Sequence, residues 1–235
     1  MVHAFEPDPA AFKLLLSNVE QNGLQNVRCH HLCIGAEDRE TDFYIMEESA
    51  FSGLTPTGRA RQRGKISIGM RTLDSILAEA GVRDVSAIKV DVEGHESEVL
   101  RGGREAIRHS PDVVLMVEVS AKNLSAERRA ALESVFRDLY SDGLCGWVVD
   151  VGSGGLRRLD EPHEAATLGS ANVFIVRSES ETEHRLRRTC ETFRSEAFRG
   201  IAKELGLEGE SLLRRHSADP HHGLNLHAAL LRSVI

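Results

Sequence analysis

Asp91, Glu93 and His95 crowd around Gly94 at the end of the nearly continuous apolar run Ala87-Ile88-Lys89-Val90-Asp91-Val92, which Glu93-Gly94 breaks. Such a run is the signature of a strand buried on both faces. While the chain stays extended, Asp91 and Glu93, two residues apart, point the same way. Gly94 then lets backbone or substrate approach closely. Two acids and an imidazole at a strand end can orient a cationic ligand, act as general base for a hydroxyl, or hold a divalent cation. Too few further ligands accompany them to favour the metal. His95 also reads as a helix-start residue satisfied by backbone. Glu6 is the other carboxylate of interest, because it follows the short apolar strand Val2 to Phe5. An acid there can accept both hydroxyls of a ribose, or it can simply be an exposed acid favoured by a nearby helix dipole.

The elements that must position these groups alternate along the chain. Asp8 reads as an N-cap with Pro9 at N1. Phe12, Leu15, Leu16 and Val19 recur at helical spacing up to the stop Asn22-Gly23. Val27 to Ile34 reads as a second strand, and residues 41–70 as a β-hairpin excursion with its tip between Gly53 and Gly64. Thr72 caps a short helix through Leu73, Ile76 and Leu77, ending at Gly81. A helix is expected from about Ser97 to His109, then a buried strand from Val113 to Val119 that contains Glu118. Glu118 either lines the site or caps the sheet edge. Ser125 caps the next helix, with Leu132, Val135, Phe136 and Leu139 inward and Gly143 closing it. Trp147 to Val151 and Val173 to Val176 read as an antiparallel edge. The whole predicts an α/β protein with a doubly wound, mostly parallel sheet. From Ser178 onward a helical stripe, Leu186, Cys190, Phe193, Ala197 and Ile201, predicts an extension over 178–235. That extension packs on the 1–177 core or mediates a homodimer.

Several of these segments resemble FkbM-type methyltransferases. Val2-His3-Ala4-Phe5-Glu6-Pro7, with a helix and Asn22-Gly23-Leu24 after it, looks like that family's second strand and its succeeding helix. Leu73-Asp74-Ser75, then Ile88-Lys89-Val90-Asp91-Val92-Glu93-Gly94-His95-Glu96, then Val99-Leu100-Arg101-Gly102 is similar to its most recognisable block. Met116-Val117-Glu118 and Asn172-Val173-Phe174 resemble its later strands. The resemblance covers roughly residues 1–177. It implies a class I fold and S-adenosyl-L-methionine as methyl donor, with a hydroxyl on a small molecule or glycan as acceptor. Glu6 and Pro7 would then bind the nucleoside, and Cys33 and Ile34 would lie near the adenine. Asp91 would position cofactor or acceptor, and Glu93 or His95 would take the proton. The family's glycine loop and first strand belong upstream of Val2, so the resemblance predicts an N-terminally truncated core that lacks them. Two alternatives remain: a methyltransferase-like module without catalysis, and an NAD-dependent enzyme, which Glu6 would also suit.

Composition bounds the rest. Net charge −7 gives no electrostatic case for nucleic acid or an anionic membrane. No apolar run approaches the length of a span, and the N-terminus lacks the basic and apolar regions of a signal peptide. Four scattered cysteines, Cys29, Cys33, Cys145 and Cys190, predict a reduced, cytoplasmic chain without zinc. Gly152-Ser153-Gly154-Gly155 reads as a hairpin turn rather than a phosphate cradle. His216, His221, His222 and His227 read as a solvated tail. Arg59, Arg61, Arg63 and Lys65 form a basic run that either steers an anionic substrate or is a solvated loop.

Overall fold

A computed structural model of the chain describes residues 1–48, 52–56, 60–121, 124–150 and 155–191. These fall into two compact units. One comprises the described residues of Met1–Arg83 with Val92–Ala106, and the other Asp84–Asp91 with the described residues from Ile107 to Glu191.

The first unit opens with β1 (Val2–Phe5), α1 (Pro9–Gln21) and β2 (Val27–His30). β1 and β2 pair in parallel, Val2 opposite Val27 and Phe5 opposite His30. One face of the pair is aromatic: His30 stacks on Phe5 at 4.8 Å and on His3 at 5.2 Å. Asp8 caps α1 as expected, its Oδ1 accepting the N–H groups of Ala10 at 2.8 Å and Ala11 at 3.3 Å. Asn22 and the left-handed Gly23 (φ 62°) end the helix. No residue of α1 is fully buried. Met1, Val2, Leu14, Leu16 and Leu24 are the exposed large hydrophobic residues of the described chain, and all belong to this β1–α1–β2 segment.

The expected strand Val27 to Ile34 divides. After β2 the chain turns at His31-Leu32, and β3 (Cys33–Ile34) joins a different sheet with β4 (Arg39–Met46) and β5 (Gln62–Arg71). β3 lies parallel to the end of β5, Cys33 opposite Met70, while β4 and β5 form the expected antiparallel hairpin. Cys33, Phe43, Ile68 and Met70 make its core. Thr72 caps α2 (Leu73–Glu79), which stops at Gly81 (φ 67°). The single helix expected after Gly94 is two, α3 (Glu96–Gly102) and α4 (Arg104–His109). Asp74 explains the break, because its carboxylate accepts the N–H groups of Glu105 at 3.1 Å and Ala106 at 2.8 Å, starting a new helix.

The second unit is built on β6 (Ala87–Val90), β7 (Val114–Val119), α5 (Ala126–Ser141), β8 (Leu144–Asp150), β9 (Gly155–Leu159), α6 (Pro162–Ala166) and β10 (Ala171–Arg177). The sheet order is β6-β7-β10-β8-β9. Only β6 and β7 pair in parallel there; β7–β10, β10–β8 and β8–β9 are antiparallel. β10 therefore lies between β7 and β8, and β9 holds the edge. The mixed α/β class is as expected, but among the described residues a mostly parallel sheet is met only in part. The helix over 181–191 continues the core, since its Leu186 and Cys190 join Val114, Met116, Cys145, Trp147, Phe174 and Val176 in one cluster. Phe193, Ala197, Ile201, the histidines from His216 on, and the turn Gly152-Ser153-Gly154 lie outside the described residues.

Candidate active site

Glu6 extends the ladder at the carboxyl end of β1, its N–H donating to the His30 carbonyl at 3.1 Å. Its Oε1 accepts the Asp8 N–H at 2.8 Å. Its other oxygen has no hydrogen-bond partner among the described residues. Burial pushes the Glu6 carboxyl above the usual range, opposed by the Asp8 N–H. An acid in this setting gains from added donors, and two adjacent hydroxyls are such donors. Pro7 lends its carbonyl to His31 Nε2 at 3.2 Å, and the His31 ring stacks on Phe12 at 4.8 Å. The turn is tied onward through Asp8, itself 3% exposed: the Met46 N–H donates to Ser52 Oγ at 3.0 Å, and Ser52 donates to Asp8 Oδ2 at 3.3 Å. Sequence reasoning saw Asp8 only as a helix cap. Its second oxygen holds the hairpin, 44 residues away along the chain.

Cys33 and Ile34 sit on the hairpin sheet rather than on a continuation of β2. Cys33 is buried, and its thiol is pushed up to about 12, first by burial and then by the charge of Glu6. That electrostatic coupling puts Glu6 and Cys33 in one neighbourhood despite the broken strand. At neutral pH the thiol stays protonated and behaves as a small apolar surface.

The acid-rich turn departs from the extended geometry. β6 ends at Val90, Glu93 takes a left-handed φ of 53° and Gly94 a φ of 100°. The alternation that would point Asp91 and Glu93 the same way therefore stops before Glu93. A non-glycine residue held there costs roughly 1–3 kcal/mol, and such strain clusters at functional sites. Asp91 is exposed and meets Lys89 Nζ at 2.5 Å, a surface pair worth little stability. His95 is half-buried and is the N-cap of α3 through its backbone, accepting from Glu98 at 3.1 Å and Val99 at 3.2 Å; its side chain makes no cap bond. Glu6, Pro7, Cys33, Ile34, Glu93 and His95 belong to the first unit, and Asp91 and Glu118 to the second. Glu118 pairs across the ladder with Asn172.

Two residues of the FkbM-like segments do scaffold work. Asp74 starts α4. Gly102 is required because a Cβ there would meet the Gly35 carbonyl oxygen at 1.9 Å. Of the basic run, Arg61 faces Glu47 at 3.8 Å and Lys65 faces Asp42 at 3.0 Å, which consumes charge that steering would need. Arg59 lies outside the described residues. No helix among the described residues is long and apolar enough to cross a membrane.

Fold and residue types together define a mixed α/β protein that carries acids at the ends of its strands. The chain belongs to the FkbM methyltransferase family, whose domain (Methyltransferase FkbM domain) matches residues 1–139. It is 31% identical over 117 residues to "2-O-methyltransferase NoeI" of Sinorhizobium fredii, a stretch covering 44% of this chain and 47% of that protein. "Methyltransferase 1" of Beauveria bassiana is 28% identical over 149 residues, 56% of this chain and 60% of that one. The chain thus spans about half the length of these curated relatives. A crystal structure of methyltransferase FkbM from Methylobacillus flagellatus aligns with a TM-score of 0.43 at 17% identity, over 74% of this chain and 36% of its own.

Proposed function

We propose that this chain is an S-adenosyl-L-methionine-dependent methyltransferase acting on a hydroxyl of a small molecule or glycan. The observation that carries the reading is Glu6: a half-buried carboxylate at a parallel strand's carboxyl end, with one oxygen met by backbone and the other open among the described residues. Family membership supplies methyl transfer as the reaction. The activity named for NoeI, a relative over part of the chain, favours oxygen as the accepting atom.

When bound, the cofactor supplies an electrophilic methyl group on a cationic sulfonium. In this reading Glu6 accepts the ribose hydroxyls, and Pro7 fixes the backbone between that acid and the cap of α1. Cys33 and Ile34 offer apolar and backbone surface to the adenine. Asp91 positions donor or acceptor, and alignment of the two supplies much of the acceleration. Glu93 or His95 takes the hydroxyl proton as the new O–C bond forms. Among the described residues β1 pairs on one side only, with β2. That one-sided pairing favours a second reading, a methyltransferase-like module that binds without turnover.

Isothermal titration of the chain with S-adenosylhomocysteine tests the site. Glu6→Gln is expected to weaken binding about 10- to 100-fold, the loss of one or two charge-assisted hydrogen bonds. The variant should unfold no more easily than the wild type at neutral pH. A carboxyl pKa raised by folding means the ionised form costs stability, a penalty absent below the ordinary value and growing as pH rises through the raised one. Equal affinity for the two chains would remove Glu6 from the site. A screen of hydroxylated acceptors with methyl-labelled donor then separates the readings: binding without label transfer supports the second.

A further inference from the structure

The Glu93–Gly94 turn is tied down by a residue to which the proposed chemistry gives no part. Glu96 stands in the first turn of α3 with 4% of its surface exposed. Its Oε1 accepts the N–H of Gly94 at 2.8 Å. A carboxylate so buried needs donors to offset its lost hydration, and the start of a helix is where backbone dipoles favour negative charge. The bond runs backward across His95, from the helix to the turn, so it closes a short ring beside the two left-handed residues, Glu93 at 53° and Gly94 at 100°. Glycine adopts such an angle freely; glutamate does not, and returns to the right-handed side unless its neighbours forbid it. The helix that carries Glu96 is itself fixed at its far end, where Gly102 lies against the Gly35 carbonyl.

We infer that Glu96 is a positioning residue: its buried carboxylate, bonded to the Gly94 N–H, keeps Glu93 in the left-handed conformation and thereby fixes how the Glu93 carboxylate is presented. The inference rests on the methyl-transfer reading of the Glu93–His95 turn. Glu96 acts through Glu93 and not on the reacting atoms. The conservative variant Glu96→Gln retains an acceptor oxygen and should keep the turn, whereas Glu96→Ala removes it.

Amide exchange followed by NMR on the whole chain reads the turn directly. Glu96→Ala is expected to speed exchange at Gly94 about tenfold or more, as loss of a hydrogen bond to a charged group would. Glu96→Gln should stay within about twofold of the wild type, because the acceptor remains. Kinetics read the consequence: Glu96→Ala lowers kcat about tenfold, leaves KM for S-adenosylmethionine within about twofold, and is rescued by the Gln variant. In a Glu93→Gln background, Glu96→Ala should change kcat no further, because the two residues act as one unit. Unchanged Gly94 exchange in Glu96→Ala, or the same kcat loss in the Glu93→Gln background, overturns the inference. Should Glu96→Ala not fold, Glu96→Asp, one methylene short of the Gly94 N–H, is read the same way. A chain without turnover on any acceptor sinks the methyl-transfer reading instead, and exchange at Gly94 then decides the role of Glu96 alone.

Discussion

Asp38 organises far more than its exposure suggests. Its Oδ1 accepts the Thr72 N–H at 2.6 Å and the Ser75 hydroxyl at 3.2 Å, and its Oδ2 accepts from Arg71 Nε at 2.8 Å. Arg71 reaches on to Glu79 at 2.6 Å. The Thr72 N–H foremost, then Arg71, hold the Asp38 carboxyl below the usual range. A lowered acid stabilises the fold above its unfolded pKa and loses that contribution as pH falls through the folded one. Asp38→Asn should therefore melt below the wild type at neutral pH, with the gap narrowing as the solution is acidified; a gap that stays constant with pH would contradict the assignment. Caps whose partners are adjacent, Asp8, Thr72 and Ser125, were legible in the sequence. Asp38 and Asp74 were not, because their partners lie 34 and 31 residues away. Glu96 escaped for a different reason. Its partner is two residues back, but the bond exists only if a glutamate takes a conformation that local preference argues against.

At the scale of elements, backbone contact sets the arrangement of β3, α2 and α3. A Cβ on Gly102 would lie 1.9 Å from the Gly35 oxygen, and one on Gly103 would lie 3.0 Å from Leu73 Cδ2. Gly102→Ala should destabilise the chain by about 2–3 kcal/mol, the cost of overpacking against backbone that cannot yield; a chemical melt with an unshifted midpoint would sink that account. Helices with strong periodicity and good caps, α1, α2 and α5, were legible to within a residue or two. The β2–β3 break was not, since Val27 to Ile34 is apolar enough for one strand and only pairing with Met70 and Arg71 redirects it. α6 is a five-residue helix buried through Ala165 and Ala166, too short to leave a period. The acids at strand ends were legible by type; the twist that separates Glu93 from the extended chain was not.

For the molecule as a whole, the region after residue 177 is no loose appendage as far as it is described. Glu183 is 4% exposed, yet its Oε1 accepts from Trp147 Nε1 at 3.2 Å and from Cys145 Sγ at 3.4 Å, and its Oε2 accepts the Glu179 N–H at 2.6 Å. Ser180 Oγ in turn accepts the Glu183 N–H at 3.1 Å, a local bond that caps the start of helix 181–191. A chain ended at Arg177 should lose more than about 3 kcal/mol, since Leu186 and Cys190 leave the core and the donors of β8 lose their acceptor. Equal denaturation midpoints for the short and full chains would overturn this. Trp147 is the chain's one tryptophan. Its ring has the Arg187 guanidinium at 5.6 Å and that of Arg158 at 6.0 Å. Ultraviolet emission excited at the indole band therefore comes from one site, and lifting helix 181–191 from β8 shows as a red shift when water replaces Glu183 and the Arg187 guanidinium. A change of colour that precedes loss of the far-ultraviolet dichroism would mark the C-terminal helix as the first part to leave.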